Sequence, residues 1–114
     1  MAVSLKIILL VLVCAILGAF GQIFFKLASE SFSFSVGGLL KNWKLIIGVL
    51  LYGSSALLFI YSLKYGNLSL LYPLIATSYI WVALLSFFLL KEPMSFLNVT
   101  GVALIILGIA LIMK

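Results

Sequence analysis

From Ile7 to Phe25 the chain is apolar without a charge, and Gln22 is its one strongly polar side chain. Three more runs of this kind follow, Leu45 to Leu63, Leu68 to Leu90 and Phe96 to Met113, none holding a charged residue. A helix that crosses a bilayer needs about 20 mostly apolar residues. The pattern therefore predicts one four-helix membrane domain over 1-114, with spans at 4-26, 44-64, 68-90 and 95-113. Lys6 ahead of an apolar stretch also opens like a signal peptide, but the run continues through Ile23, Phe24 and Phe25 and reads as a retained span.

The links between the later runs are short. Lys64, Tyr65, Gly66 and Asn67 join the second to the third, and KEPMS, Lys91 to Ser95, joins the third to the fourth. Such loops make neighbours antiparallel. Pro93 suits the first turn of the last helix, where its missing N–H costs nothing, and Glu92 suits the positive end of that helix dipole. The first link is longer, SESFSFSVGGLLKNWK, and its aromatic and basic content predicts a segment lying at the interface, with Trp43 as an anchor.

In lipid, helices associate through small residues and interhelical hydrogen bonds, so these mark faces turned to protein or to a cavity. At steps of three or four the first span aligns Ala15, Gly18, Gln22, Lys26 and Ser29, and the second aligns Gly48, Tyr52, Ser55, Phe59 and Ser62. The third aligns Ser69, Tyr72, Ala76, Tyr79, Ala83 and Ser86, with Pro73 interrupting its ladder, and the fourth aligns Asn98, Gly101, Ile105 and Gly108. Packing accounts for many of the small residues. Gln22, Tyr52, Tyr72 and Tyr79 bring polar groups that need partners where water is scarce, and with Ser55 on the Tyr52 face they are candidate substrate contacts, to which the resemblance given below adds Lys26. Gly101, Ile105 and Gly108 form a face on which a second helix can approach closely, the candidate dimer contact.

Composition narrows the chemistry. The chain is 67% hydrophobic and 8% charged, and its charges are seven lysines and two glutamates, with no histidine, arginine or aspartate. That leaves no metal ligand set, no triad and no histidine acid or base, so neither an enzyme nor a bound cofactor is expected. The lysines sit at the ends of the runs rather than in a stripe, so no nucleic-acid partner is expected either. Cys14 is alone and deep in its run, a packing residue. Lys6, Lys64 and Lys114 fall on one side of the predicted topology and Lys26, Lys41, Lys44 and Lys91 on the other, a near balance that places loops one and three in the cytoplasm only by a slight excess.

With these elements in order, the chain resembles the drug/metabolite transporter superfamily in the four-helix form of the small multidrug resistance proteins. The matching stretches are AILGAFGQIFFKLASE, LLYPLIATSYIW, KEPMS and GVALIILG, spread over nearly the whole chain. The resemblance implies a dimer, often antiparallel, held by the fourth helices, with the first three lining a substrate cleft. Gly101 and Gly108 match the fourth-helix glycines, Lys26 and Glu30 the first-helix exit, and Tyr72 the cleft tyrosine. The first-helix glutamate of that family, on which protons and cations compete, falls here at Ala19, and its third-helix tryptophan at Ile75. Gln22 cannot titrate in its place.

Within the superfamily, Gly21, Gln22 and Lys26 resemble the G-Q-x-x-x-K pattern of the small subunits that flip undecaprenyl-phosphate-linked aminoarabinose. The expectation is an all-α integral membrane protein of the bacterial inner membrane, four transmembrane helices dimerising through the fourth, as a homodimer or a heterodimer with a paralogue. It would translocate a polyprenyl-phosphate-linked sugar or similar amphiphile, with Lys26 pairing to the phosphate at the mouth of the Gln22 groove. Export of amphiphilic or cationic solutes, with cation–π contacts from the tyrosines, and a non-transporting accessory subunit are the other readings.

Overall fold

Ser4 starts the first helix: its hydroxyl accepts a hydrogen bond from the Ile7 N–H at 3.4 Å. Helix α1 then runs unbroken over Leu5–Ser29. At its far end the Ser29 hydroxyl donates to the Lys26 carbonyl at 2.6 Å, and Lys26 stands in the last turn, where the helix dipole favours a cation. The computed structural model describes residues 3–114 and is all-helical, without a strand among the described residues.

The first link holds a short helix, α2 (Val36–Lys41), capped by Ser35, whose hydroxyl accepts from the Gly38 N–H at 3.0 Å. Asn42 follows, buried, and acts in two directions. Its Oδ1 accepts from the Leu45 N–H at 3.3 Å, capping α3 (Trp43–Ser62), while its Nδ2 donates to the Ala28 carbonyl at 3.1 Å at the end of α1. One side chain thereby fixes where α1 ends relative to where α3 begins. A 3₁₀ turn, Leu63–Tyr65, prolongs α3.

The third apolar run is broken into α4 (Leu68–Ile75) and α5 (Ser78–Leu89). Pro73 lacks an N–H and its ring crowds the carbonyl four residues back. Just beyond it the ladder tightens to i−3 bonds: the Thr77 N–H donates to Leu74 at 3.1 Å and the Tyr79 N–H to Ala76 at 3.0 Å. Helix α6 (Phe96–Ile112) starts with the apolar run, the Ser95 hydroxyl taking the cap position and accepting from the Asn98 N–H at 3.2 Å. Pro93 and Glu92 therefore lie in the non-helical link and not in the first turn of the last helix. In that link Lys91 adopts a left-handed backbone, with φ of 57°.

Helix α1 is the centre of the molecule, packing antiparallel on α3 and also against α4 and α5, whereas α6 lies outside and touches only α4 and α5 closely. A small core of Val3, Val11, Leu71 and Leu74, with Leu63 and Met113 against it, ties the start of α1, the end of α3, the start of α4 and the end of α6 into one end of the bundle. Helices α1 and α3 approach backbone to backbone at Gly21 and Gly48: a Cβ on Gly21 would stand 3.2 Å from the Gly48 carbonyl and 3.1 Å from the Tyr52 nitrogen. Only glycine permits that approach.

Most large apolar side chains point outward, among them Leu50, Leu57, Phe88, Leu104 and Leu111. Leu5–Ser29, Trp43–Tyr65 and Leu68–Leu89 are long and apolar enough to cross a membrane, and Phe96–Ile112 is a shorter apolar helix. An all-helical protein of this surface is an integral membrane protein, since water would not tolerate so much exposed hydrocarbon.

Candidate functional site

A cavity of about 490 Å³ opens on one flank, between α1, α3 and the α4–α5 junction. Each wall follows from a sequence stripe. Helix α1 contributes Cys14, Ala15, Gly18 and Gln22; α3 contributes Tyr52, Ser55, Ala56 and Phe59; the third run contributes Tyr72, Ile75, Ala76, Ser78, Tyr79 and Val82. Small residues on α1 make the hollow, and aromatic residues on the other two walls border it.

Of the six candidate substrate contacts, Gln22, Tyr52, Ser55, Tyr72 and Tyr79 line this one space, and Lys26 does not. Lys26 stands one turn beyond Gln22 on the same stripe, about 6 Å further along the axis, and is exposed. Ser55 is held in the frame: buried, it donates from Oγ to the Cys14 carbonyl at 2.7 Å, an interhelical bond that clamps α3 to α1. Tyr52, Tyr72 and Tyr79 are 46%, 61% and 64% exposed, so the wall they form is only partly enclosed. Phe25 supports the Tyr52 ring at 5.9 Å between centroids, and Phe59 meets Tyr72 at 6.3 Å, edge to face.

The helix break shapes the third wall. It lies beside the cavity, and with it Ile75, Ala76, Ser78 and Tyr79 all turn inward. Broken helices in membrane proteins gather where a cavity can solvate the loosened backbone. The expected stripe passes the break only as far as Tyr79: Ala83, rotated about 40° beyond it, lines a separate apolar groove with Phe87 and Val102. Beside the break, Thr77 Oγ1 and Trp81 Nε1 are buried without hydrogen-bond partners, and neither lines the cavity.

Ser78, Cys14, Ile75, Ala56 and Val82 were not singled out from sequence as cavity residues. A signal existed only for Ser78, a hydroxyl next to Tyr79, and reading it required knowing that the helix breaks there. Ala19, where the resemblance puts a glutamate, is fully buried and off the cavity wall. Gly101 and Gly108 lie away from the cavity on the outside of α6, where an added Cβ would meet nothing within 4 Å. No group of His, Cys, Asp or Glu that could hold a metal occurs among the described residues.

What the lining offers is therefore neutral: an amide, hydroxyls and aromatic faces, in a hollow flanked by apolar helices. A membrane protein so built has the architecture of a small-molecule transporter. Residues 35–114 match the model of the EamA-like transporter family, and the chain belongs to that family, within the drug/metabolite transporter superfamily. The match covers α2 to α6 and leaves α1, with Gln22 and Lys26, outside it. Neither a curated protein nor a solved structure matches the chain.

Proposed function

We propose that this transporter moves the polar head of a lipid-linked sugar, carried on a polyprenyl phosphate or a similar amphiphile, across the bacterial inner membrane. The observation that carries the reading is the cavity itself, which pairs the Gln22 amide with Tyr52, Tyr72 and Tyr79 and has no carboxylate among its lining residues. A sugar needs neutral donors and acceptors with aromatic faces to lie against, and an anionic carrier is not repelled by such a wall. The lining tyrosines are themselves exposed between apolar helices, so a head can enter while its hydrocarbon tail stays in lipid. Lys26, one turn above Gln22, is placed to take the phosphate at the rim. Without a carboxylate on the wall to exchange protons against substrate, flux follows the gradient set by reactions on either side.

A dimer belongs to this proposal. Gly101, Ile105 and Gly108 would form the contact between copies, or with a paralogue. A cationic amphiphile is the second reading, favoured by the Phe25–Tyr52 and Phe59–Tyr72 ring pairs.

The test is a scrambling assay in liposomes with a labelled polyprenyl-phosphate sugar. The double variant Gln22→Leu, Tyr79→Phe removes two neutral hydrogen bonds and should slow transfer by roughly tenfold or more. Full activity in that variant, with loss of activity only when Gly101→Leu separates the copies, would favour an accessory role. Proton-dependent uptake of a quaternary amine with no sugar-lipid transfer would favour the exporter.

A further inference from the structure

Tyr61, Lys64 and Tyr65 gather at the end of α3, and none of them lines the cavity. The two hydroxyls lie 3.4 Å apart and the rings meet edge to face, with centroids at 5.4 Å. The Lys64 ammonium stands 5.9 Å from one ring centre and 6.0 Å from the other. Both ring quadrupoles thus hold a cation that would otherwise wander on its four-carbon stem. The hydroxyl pair consumes one donor. The second O–H and the ammonium protons remain for an acceptor outside the protein.

The surroundings specify that acceptor as an anion. The core that joins Val3, Leu63, Leu71 and Met113 brings Lys6 and Lys114 to the same end of the bundle as Lys64. Glu30 and Glu92, the only acidic side chains in the chain, follow α1 and α5 and lie at the opposite end. Lys64 has no carboxylate side chain to pair with at its own end.

The flank of α3 specifies what the anion is attached to. Leu50, Leu57, Tyr61 and Lys64 succeed one another at steps of seven, four and three, and so share one face. Leu50 and Leu57 are 64% and 70% exposed, a hydrocarbon track leading up to the donor group. A hydrocarbon chain can lie along the leucines while its headgroup reaches the tyrosines.

We propose that the Tyr61–Lys64–Tyr65 turn is a headgroup site for an anionic phospholipid, the phosphate diester accepting from Lys64 and a tyrosine hydroxyl. This is separate from the transport reading and stands if that reading fails. Its chemistry is also that of free phosphate, and the experiment separates the two.

The purified protein in mild detergent is mixed with equal amounts of phosphatidylglycerol and phosphatidylcholine, and retained lipid is counted by native mass spectrometry. The wild type should retain phosphatidylglycerol in preference. Lys64→Gln should lower that retention about fivefold, the effect of one lysine at an anionic surface. Tyr61→Phe with Tyr65→Phe keeps both rings and removes both hydroxyls, and should lower it several-fold; Lys64→Arg should largely keep it. Lys41→Gln, at the other end, should change nothing. The proposal is overturned by equal retention of the two lipids, by an unchanged double phenylalanine variant, by an equal effect of Lys41→Gln, or by displacement with equimolar inorganic phosphate. Since all these side chains are exposed, matching elution and helicity of each variant identify loss of the site rather than of the fold.

Discussion

The crossing of α1 and α3 is the joint on which the cavity depends, and Gly21→Ala tests it. A Cβ on Gly21 would stand 3.1 Å from the Tyr52 nitrogen and 3.2 Å from both the Gly48 carbonyl and the Tyr52 Cβ. Ordinary contact begins at 3.4 Å, so the shortfall reaches about 0.3 Å, against backbone atoms that no rotamer change can move. Overpacking of this kind costs roughly 1–3 kcal/mol, offset by up to about 1 kcal/mol from the better helix propensity of alanine. The expected net loss is about 1 kcal/mol. Gly53→Ala, on the same helix pair but with nothing within 4 Å of its Cβ, collects the propensity gain alone and should be stabilised by up to about 1 kcal/mol. The two variants should therefore differ by about 2 kcal/mol in unfolding by sodium dodecyl sulfate in micelles, followed by helicity. Since Tyr52 is itself the obstacle, Gly21→Ala should also displace a cavity wall and weaken transfer of whichever amphiphile is transported. A Gly21→Ala protein as stable as Gly53→Ala would show that the helices are not in backbone contact, and the reasoning from the glycines would fall.

Ser55→Ala removes the bond to the Cys14 carbonyl and should cost about 0.6–1.7 kcal/mol in the same assay, while Ser54→Ala should cost almost nothing. Asn42→Ala takes away both the α3 cap and the bond to Ala28; a loss of about 1–3 kcal/mol is expected, with faster amide exchange at Leu45. Asn42→Asp keeps the cap but sets a buried carboxylate oxygen against the Ala28 carbonyl, so it should cost at least as much as Asn42→Ala. Lys91→Gly relieves a left-handed backbone and should raise stability by about 1 kcal/mol, whereas Lys91→Val should lower it; equal midpoints for the two would mean that the link is not held in this conformation.

The helices were legible because lipid leaves one signature: long apolar runs ended by lysine or by short polar links. Most of the cavity was legible for a related reason. In an apolar chain the few polar and small residues are informative, and Gly18, Gln22, Tyr52, Phe59, Tyr72 and Tyr79, read as stripes, meet around one space. The helix break was harder to see. Pro73 announced an interruption, but the two-residue gap and the tightened turn after it depend on backbone geometry that the hydropathy of IATS does not record. Ser95 displaced Pro93 from the start of α6 because a hydroxyl that accepts an N–H stabilises a first turn more than a missing donor does. Asn42 carried a visible cap signal, an amide just before an apolar run, but its reach across to Ala28 is a tertiary fact. Gly21 stands in the sequence as one glycine of a motif, and its backbone approach to Gly48 is likewise a tertiary fact.

The unequal lengths of the helices bear on the membrane as well as on the protein. Helix α1, with 25 residues, rises about 37 Å, and α6, with 17, about 25 Å. A hydrocarbon layer is about 30 Å thick, so α1 is too long for it and α6 too short. A long helix adapts by tilting; a short one on the outside of the bundle makes the lipids beside it thin or drives it against another helix. Hydrophobic mismatch thus becomes a property of one flank of this molecule. Bilayers of longer acyl chains should stress α6 first, strengthening association through the Gly101–Gly108 face if it is a contact and loosening the helix if it is not.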